Sequence, residues 1–532
     1  GSKSIIIHRL WIGRKSYATG RNVSPRTEME KLLLGIDIGT SACKAAVFNE
    51  LGDVVASVAR EYDVYYVREG WVEQNPDQWW TTVIEAIQSL LKEQSIDPAD
   101  IMGIGIDGQS WSAIPVDIQG NVLACTPIWM DTRSGENCSR LKSEIGEDEI
   151  FSLCGNPVEP MYTTPKILWF KENMPDVYRR THKFMQSNSF IVYRMTGEFS
   201  QDISQGYGLH CFNMRKGCWD QDMCRKMKLD IHKLPDRISQ CHEIVGKVSG
   251  KAAEATGLQV GTPVVAGGLD AACAALGAGV IHAGQTQEQG GQAGGMSICI
   301  DEYKADPRLI LSSHVVPGKW LLQGGTVGGG GVIRWFEKEF CEFERSSGRL
   351  CATSSFEIMD REAQEIAGGS DGVIFLPYMA GERSPIWDKN AKGVFFGLDY
   401  SKTRAHMIRA CLEGVAFSLK HNIEIAEQAG ATVGALHATG GSANSVLWTQ
   451  IKSDVTGKEI IVPSSDMSTT MGAAILAGVG AGVYRDFEEA AQKCVKVVRE
   501  HKPHPDGAEA YIKNYSTYKK LYENLKSLMA DA

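Results

Sequence analysis

The sequence predicts an α/β protein built as two duplicated domains, each a mixed sheet flanked by helices, facing a shared cleft. Three observations point there. The chain has 532 residues, 43% of them hydrophobic and 22% charged, a globular composition with material for about two to four domains. After a basic leader it reads strand, tight turn, strand, turn, strand, then an amphipathic helix and another apolar strand. A strand, Gly-rich turn and strand return roughly 250 residues later, at 285–301. Three antiparallel strands followed by a helix and a strand make a mixed sheet that helices must cover.

Residues 1–28 hold six Lys/Arg against one Glu. They read as a transit peptide or an expression leader, with Gly1-Ser2 resembling a cleavage scar and Met29 the natural start. The remainder carries 49 basic and 63 acidic residues, a charge of −14. Such a body repels polyanions, so nucleic acid is not an expected partner. No apolar run reaches membrane-spanning length, so neither is a membrane. The 14 cysteines are scattered, with no C-x-x-C pair and no metal-ligand spacing. Cys43, Cys273, Cys299 and Cys411 sit among apolar or small residues and read as buried thiols, which fits a reducing cytoplasm.

The first unit is strand 32–38, strand 43–48, the turn Glu50–Asp53 and strand 54–59. Asp37 closes the first strand, Gly39-Thr40-Ser41 makes the turn, and Lys44 sits on the second strand. A turn that tight needs Gly. Its N–H groups and two hydroxyls form a small anion cradle. The Asp37 carboxylate would repel a phosphate unless a divalent cation or its water shell lies between them. Mg-nucleotide binding is one reading; an ordinary polar hairpin turn is the other.

A helix follows, with Asn75 as N-cap, Pro76 in the first position, and Trp80, Val83, Ile84, Ile87, Leu90 and Leu91 as its apolar stripe. Next comes strand 101–106. Gly103-Ile-Gly-Ile-Asp-Gly108 matches G-x-G-x-x-G, but Ser112–Val116 and Asp117–Gly120 read as strand and hairpin, where a dinucleotide site needs a helix. No P-loop, nucleophile elbow or zincin motif occurs. Gln109-Ser110-Trp111 and Trp129-Met130-Asp131-Thr132-Arg133 each follow an apolar strand. Polar groups beside an aromatic wall suit a polyhydroxylated ligand, and a half-buried Trp with a satisfied N–H explains either segment equally well.

Residues 264–279 and 436–457 share a plan of strand, Gly-Gly turn and helix start, and Gly277, Gly279 and Gly284 mark a boundary near 276–286. The expected domains are 29–278 and 279–532. Asp270, between a buried-looking strand and a helix start, reads as a general base at a cleft floor or as a helix cap. Gly290–Gly295, Gly325–Gly331 before a helix at Val332–Phe336, and Gly440-Gly441 are three glycine clusters. Each alone reads as a surface loop. Together with the first hairpin they put a nucleotide mainly in the second half.

These features resemble the FGGY carbohydrate kinases, of the actin-like, ribonuclease-H-like ATPase superfamily, over roughly residues 31–520. Met161-Tyr-Thr-Thr-Pro-Lys166-Ile-Leu-Trp169-Phe-Lys-Glu-Asn173 is similar to the family's first signature. Gly393-Val-Phe-Phe-Gly397-Leu with His406–Glu413 is similar to its second, Cys411 being unusual. Gly70–Trp80, Arg194–Phe199 and Phe375–Arg383 resemble the xylulose kinase branch.

The resemblance implies two actin-like domains, a sugar-binding one and a nucleotide-binding one, with ATP, Mg²⁺ and a sugar in the cleft. It implies phosphorylation of a sugar hydroxyl, D-xylulose to D-xylulose 5-phosphate, with a homodimer as the assembly. Asp270 is implied as catalytic base and substrate contact, and Asp37 as the carboxylate that organises Mg²⁺ through water. Gln109, Ser110, Trp111 and Asp131 are implied on the sugar. Thr40, Ser41 and Lys44 are implied at the first phosphate hairpin, Gly291, Gln292 and Gly325 at the second phosphate region, and Trp335, Gly440, Gly441 and Asn444 around adenosine.

Three departures stand out. The second phosphate turn, usually Gly-Thr-Ser-Gly, is Gly291-Gln292-Ala293-Gly294 and has lost both hydroxyls. The sugar-contact pair, usually Met-His, is Ser110-Trp111. Asp466-Met-Ser-Thr-Thr470 lacks the Glu often found before Gly472. A kinase for another ketose, polyol or modified sugar, or a non-catalytic sugar or nucleotide sensor on the same fold, are the alternatives these departures raise.

Overall fold

The computed structural model describes residues 30–464 and 466–532; the leader expected at 1–28 and the start at Met29 lie outside the described residues. Strand Leu32–Ile38 is buried along its whole length. It pairs antiparallel with Ala42–Asn49, which pairs antiparallel with Val54–Glu61. On its other side lies the parallel strand Ile101–Gly108, followed by Pro263–Val265, also parallel, and the antiparallel edge Ile244–Lys247. Central strands covered on both faces read as continuous apolar runs, as Leu32–Ile38 and Ile101–Gly108 do.

Helix Pro76–Glu93 starts as its sequence dictates: Asn75 Oδ1 accepts the Asp77 N–H at 3.0 Å, and Pro76 fills the first turn. Its buried face runs through Trp79, Val83, Ala86, Ile87 and Leu90. Of the expected stripe Val83, Ile87 and Leu90 are buried, while Trp80, Ile84 and Leu91 are half-buried and Trp79 and Ala86 take the inner places. Trp79 and Trp80 are indistinguishable by periodicity, and the position of the sheet chooses between them.

The second sheet runs Ile310–Ser313, Trp320–Thr326, Gly294–Ile300, Thr286–Gly290, Leu436–Thr439, Ile460–Pro463, Val497–His501. Its hairpin Thr286–Gly290/Gly294–Ile300 is antiparallel and extends to Trp320–Thr326, while Leu436–Thr439 and Ile460–Pro463 add in parallel on the other side. The two sheets thus share one strand plan, and the duplication read from sequence holds.

One internal match needs correcting. Leu436–Thr439 lies beside Thr286–Gly290 as Ile101–Gly108 lies beside Leu32–Ile38. It is therefore not the counterpart of Pro263–Val265, whose place Ile460–Pro463 takes. Helix Asp270–Gly277 corresponds to Ser468–Gly480, not to Val446–Thr456. Strand, Gly-Gly turn and helix is a local pattern that carries no information about sheet position.

Helices Asp270–Gly277 and Ser468–Gly480 pack against each other and against the first sheet. The approach is as close as backbones allow: a Cβ on Gly277 would lie 1.8 Å from Ser468 O, and one on Gly472 1.8 Å from Cys273 O. Only glycine permits this contact. A helix from the second half is thereby built onto the first sheet, and Lys31–Ala532 forms a single unit.

Candidate active site between the two sheets

A cleft of about 500 Å³ is lined from both sheets. The first half contributes Thr40, Gln109, Ser110, Trp111, Trp129, Tyr207 and Asp270; the second contributes Gln289, Gly291 to Ser297, Ile310, Gln323 to Gly325 and Arg383. Eight of the residues expected at a site therefore meet: Thr40, Gln109, Ser110, Trp111, Asp270, Gly291, Gln292 and Gly325.

Asp270 opens helix Asp270–Gly277, is partly exposed, and accepts the Ala271 N–H at 2.7 Å. Desolvation, and then the nearby Asp37 carboxylate, push its pKa up to about 7. Asp37 lies one layer deeper. In the strand register it faces Lys44 on one side and Asp107 on the other. Burial raises the Asp37 pKa, with Asp107 and Lys44 opposing. Burial and the Asp37 charge raise that of Asp107 much further. Each ionised carboxylate makes the other harder to ionise, and both Asp107 oxygens are buried without a partner.

Asp107 escaped the sequence reading because it sits inside a motif rejected for other reasons. Its signal, an acid in an all-apolar strand, has meaning only once the neighbouring strand is known. Asp37 Oδ1 has no hydrogen-bond partner, and no group of three or more His, Cys, Asp or Glu side chains among the described residues is placed to hold a metal. A buried carboxylate oxygen left without a partner, in no protein cage, fits a cation that arrives with a nucleotide and is reached through water, as Mg²⁺ is.

The turn at Gly39-Thr40 is held by four neighbours. Tyr62 Oη donates to Gly39 O. Gln74 Nε2 donates to Thr40 O at 2.7 Å, Gln109 Nε2 to Gln74 Oε1 at 2.8 Å, and Trp129 Nε1 to Thr40 Oγ1 at 2.9 Å. Lys44 and Ser41 are exposed and outside the cleft lining.

Trp111 stands in the left-handed region at φ 64° and packs against Tyr162 and Tyr207, with ring centroids at 4.6 and 5.4 Å. Tyr207 Oη bonds Ser110 Oγ at 2.5 Å. Lys166, from the first signature, is fully buried and donates to the carbonyls of Trp111, Ile128 and Met161 at 2.8, 2.8 and 2.7 Å. All three ammonium donors are used, and burial brings its pKa down to about 7. Lys166 thus fastens both aromatic segments of the cleft wall to helix Thr163–Asn173. Asp131 does not line the cleft. It accepts the Val72 N–H at 2.7 Å and pairs with Arg133 at 2.8 Å, a buried structural knot.

In the second half the glycine clusters interlock. Gly330 N donates to Gly291 O at 2.7 Å and Gly331 N to Gln292 O at 3.0 Å. Gly440, at φ 84°, is pressed against the same turn: a Cβ there would lie 2.8 Å from Gly290 O. Beneath, the buried Lys452 Nζ bonds Glu288 Oε1 at 2.6 Å and Ser442 Oγ at 2.9 Å. Gly440, Gly441 and Asn444 are exposed beside the turn rather than in the cleft lining. Trp335 is half-buried and stacked on Phe375, with centroids 6.4 Å apart and planes 12° apart.

The comparisons agree with this architecture. The model of the N-terminal domain of the FGGY family of carbohydrate kinases matches residues 32–277, and that of the C-terminal domain residues 302–481. A xylulose kinase of Bacillus subtilis (strain 168) is 30% identical over 500 residues, covering 94% of this chain and 98% of its own. A gluconokinase of the same strain is 30% identical over 506 residues, covering 94% and 96%. The crystal structure of a xylulose kinase from Rhodospirillum rubrum gives a TM-score of 0.85 at 27% identity, covering 94% of this chain and all of its own. The paired sheets are thus the two-domain, actin-like fold of these kinases, and the chain belongs to the FGGY family of carbohydrate kinases as an ATP-dependent sugar kinase.

Proposed function

We propose that the chain transfers the γ-phosphoryl group of ATP to a ketopentose hydroxyl, D-xylulose being the first candidate, with D-xylulose 5-phosphate and ADP as products. The observation that carries this reading is Asp270: a carboxylate with a pKa near 7, in one cleft with the polar-aromatic wall and the Gly291–Gly295 turn. A base so tuned takes a proton at neutral pH as the hydroxyl oxygen attacks phosphorus and the bond to ADP breaks. Backbone N–H groups of the turn face the developing charge. Asp37, backed by Asp107, would hold Mg²⁺ through water, and the ion, when bound, would neutralise phosphate oxygens. The open cleft needs closure of the two halves to keep water from the phosphoryl group. The 14 free cysteines support a reducing, cytoplasmic setting.

A second reading is favoured by Trp111, which brings bulk and no imidazole to the sugar wall: the substrate is a sugar acid or another polyol, in keeping with the gluconokinase likeness. ADP release with a panel of ketoses, polyols and aldonates tests both. Turnover with D-xylulose above all others is the expected result. Turnover with an aldonate alone would transfer the assignment to the second reading, and tight sugar binding with no ADP from any would overturn both.

A further inference from the structure

Strand Trp320–Thr326 forms part of the cleft wall, and the segment Glu382–Ser384 is laid across its end. Ser384 N donates to Gly325 O at 3.0 Å, and Arg383 Nη2 donates to Thr326 O at 3.0 Å. The neighbouring Glu382 attracts Arg383 electrostatically but makes no direct ion pair with the guanidinium. Its carboxylate accepts the N–H groups of Val327 at 2.7 Å and of Arg383 at 2.8 Å. Among the described residues no carboxylate forms an ion pair with the Arg383 guanidinium, and its Nε is buried without a partner. The guanidinium lies against bare backbone: a Cβ on Gly325 would come 3.4 Å from its Cζ.

Among the residues lining the cleft, Arg383 alone is basic. The other cations nearby lie outside the cleft lining. Lys452 is paired with Glu288, Arg334 donates to Gln292 Oε1, and Lys44 is exposed outside the lining. A guanidinium with unused donors in a partly dry cleft recognises a planar pair of anionic oxygens. The adjacent Gln292-Ala293 turn offers backbone donors and no hydroxyl. We propose that Arg383 grips the phosphoryl group in transfer, supplying the donors that this turn lacks. The inference rests on phosphoryl transfer in this cleft. The same fork could instead seat the carboxylate of an acid substrate, and the test separates the two.

The test uses the full chain with Arg383→Met and Arg383→Lys, each measured for binding of a non-hydrolysable ATP analogue and of ADP, and for turnover. If Arg383 holds the terminal phosphoryl group, Arg383→Met weakens the ATP analogue by about 10-fold, leaves ADP within about twofold, and lowers kcat by about 100-fold or more. Added guanidinium ion restores part of the kcat. Arg383→Lys keeps the melting temperature and sits between Met and wild type, so a folding defect in the Met variant does not decide the matter. Equal weakening of ATP analogue and ADP would assign Arg383 a structural role and overturn the proposal. So would a loss confined to aldonate binding, which would place the guanidinium on the substrate. The binding arm needs no sugar, so it stands even if no substrate in the panel is turned over.

Discussion

In the first hairpin, Asp37 closes the strand and Thr40 and Ser41 bring hydroxyls to the turn. At the matching places of the second stand Gln289, Gln292 and Ala293. The backbone plan is the same and the chemistry is not. The first turn faces a cluster of three acids, Asp37, Asp107 and Asp270, whose pKa values are all raised by burial. The second has no acid in its turn, is pressed on by two further glycine clusters, and shares its cleft wall with Arg383. Under the proposed function, one half would take the proton and tolerate the cation, and the other would take the anion. Duplication supplies the frame, and the few side chains at the turns divide the labour.

The comparison is broken most sharply at the acidic side. Asp270→Asn should lower turnover by about 10³-fold or more, with sugar and nucleotide binding kept within about 1–2 kcal/mol, measured by single-turnover kinetics and calorimetry. In the wild type, kcat/KM should rise with pH through an acid limb near 7, where Asp270 loses its proton. The same variant should be more stable than wild type. A carboxyl with a folded pKa raised from 3.8 to about 7 contributes fully below its unfolded value and loses that contribution as pH rises to its folded one. The advantage of Asn therefore grows from pH 3.8 to about 7 and is flat above, reaching about 4 kcal/mol. Equal denaturation midpoints at pH 8 would contradict this.

Asp37→Asn should cost about 10²-fold in kcat and shift the Mg²⁺ titration of activity to higher concentration, with the fold intact by circular dichroism. At the sugar wall, Trp111→Ala should raise the sugar KM by about 10-fold while leaving the KM for ATP unchanged, since the ring packs on Tyr162 and Tyr207 in the first half. The smallest effect sharpens the comparison from the other side. Ala293→Ser returns a hydroxyl to the second turn and should change the KM for ATP by no more than about threefold, because backbone donors already line it. A much larger gain would mean that the hydroxyl-free turn limits the enzyme.

Much of the frame was legible before any coordinates. Asn75-Pro76 announced a helix start through capping chemistry, and the Gly39 and Gly290 turns announced hairpins through small-residue composition and periodicity, although neither glycine takes a positive φ. Asp270 stood out as an acid at a strand–helix junction, which the sequence alone read equally as a base or as a helix cap. Other site residues were hidden for identifiable reasons. Asp107 is unremarkable until Asp37 lies beside it. Lys166 looks like a surface lysine on a helix until three carbonyls close around it. Asp131 looked free for a sugar because nothing in the local sequence says that Val72 and Arg133 claim both its oxygens. Arg383 was only one letter of a motif.

The sequence alone therefore determined the local pieces: the hairpins, the capped helix, the glycine turns, and the repetition of one plan in two halves. These depend on backbone freedom and on hydrophobic period, which act between residues a few positions apart. The tertiary structure decided which strands became neighbours, that Leu436–Thr439 rather than Ile460–Pro463 adjoins the second hairpin, and which charges face each other across the cleft. Those relations join segments far apart in the chain. Burial and mutual proximity, absent from any short stretch of sequence, raise the pKa of an ordinary aspartate to about 7.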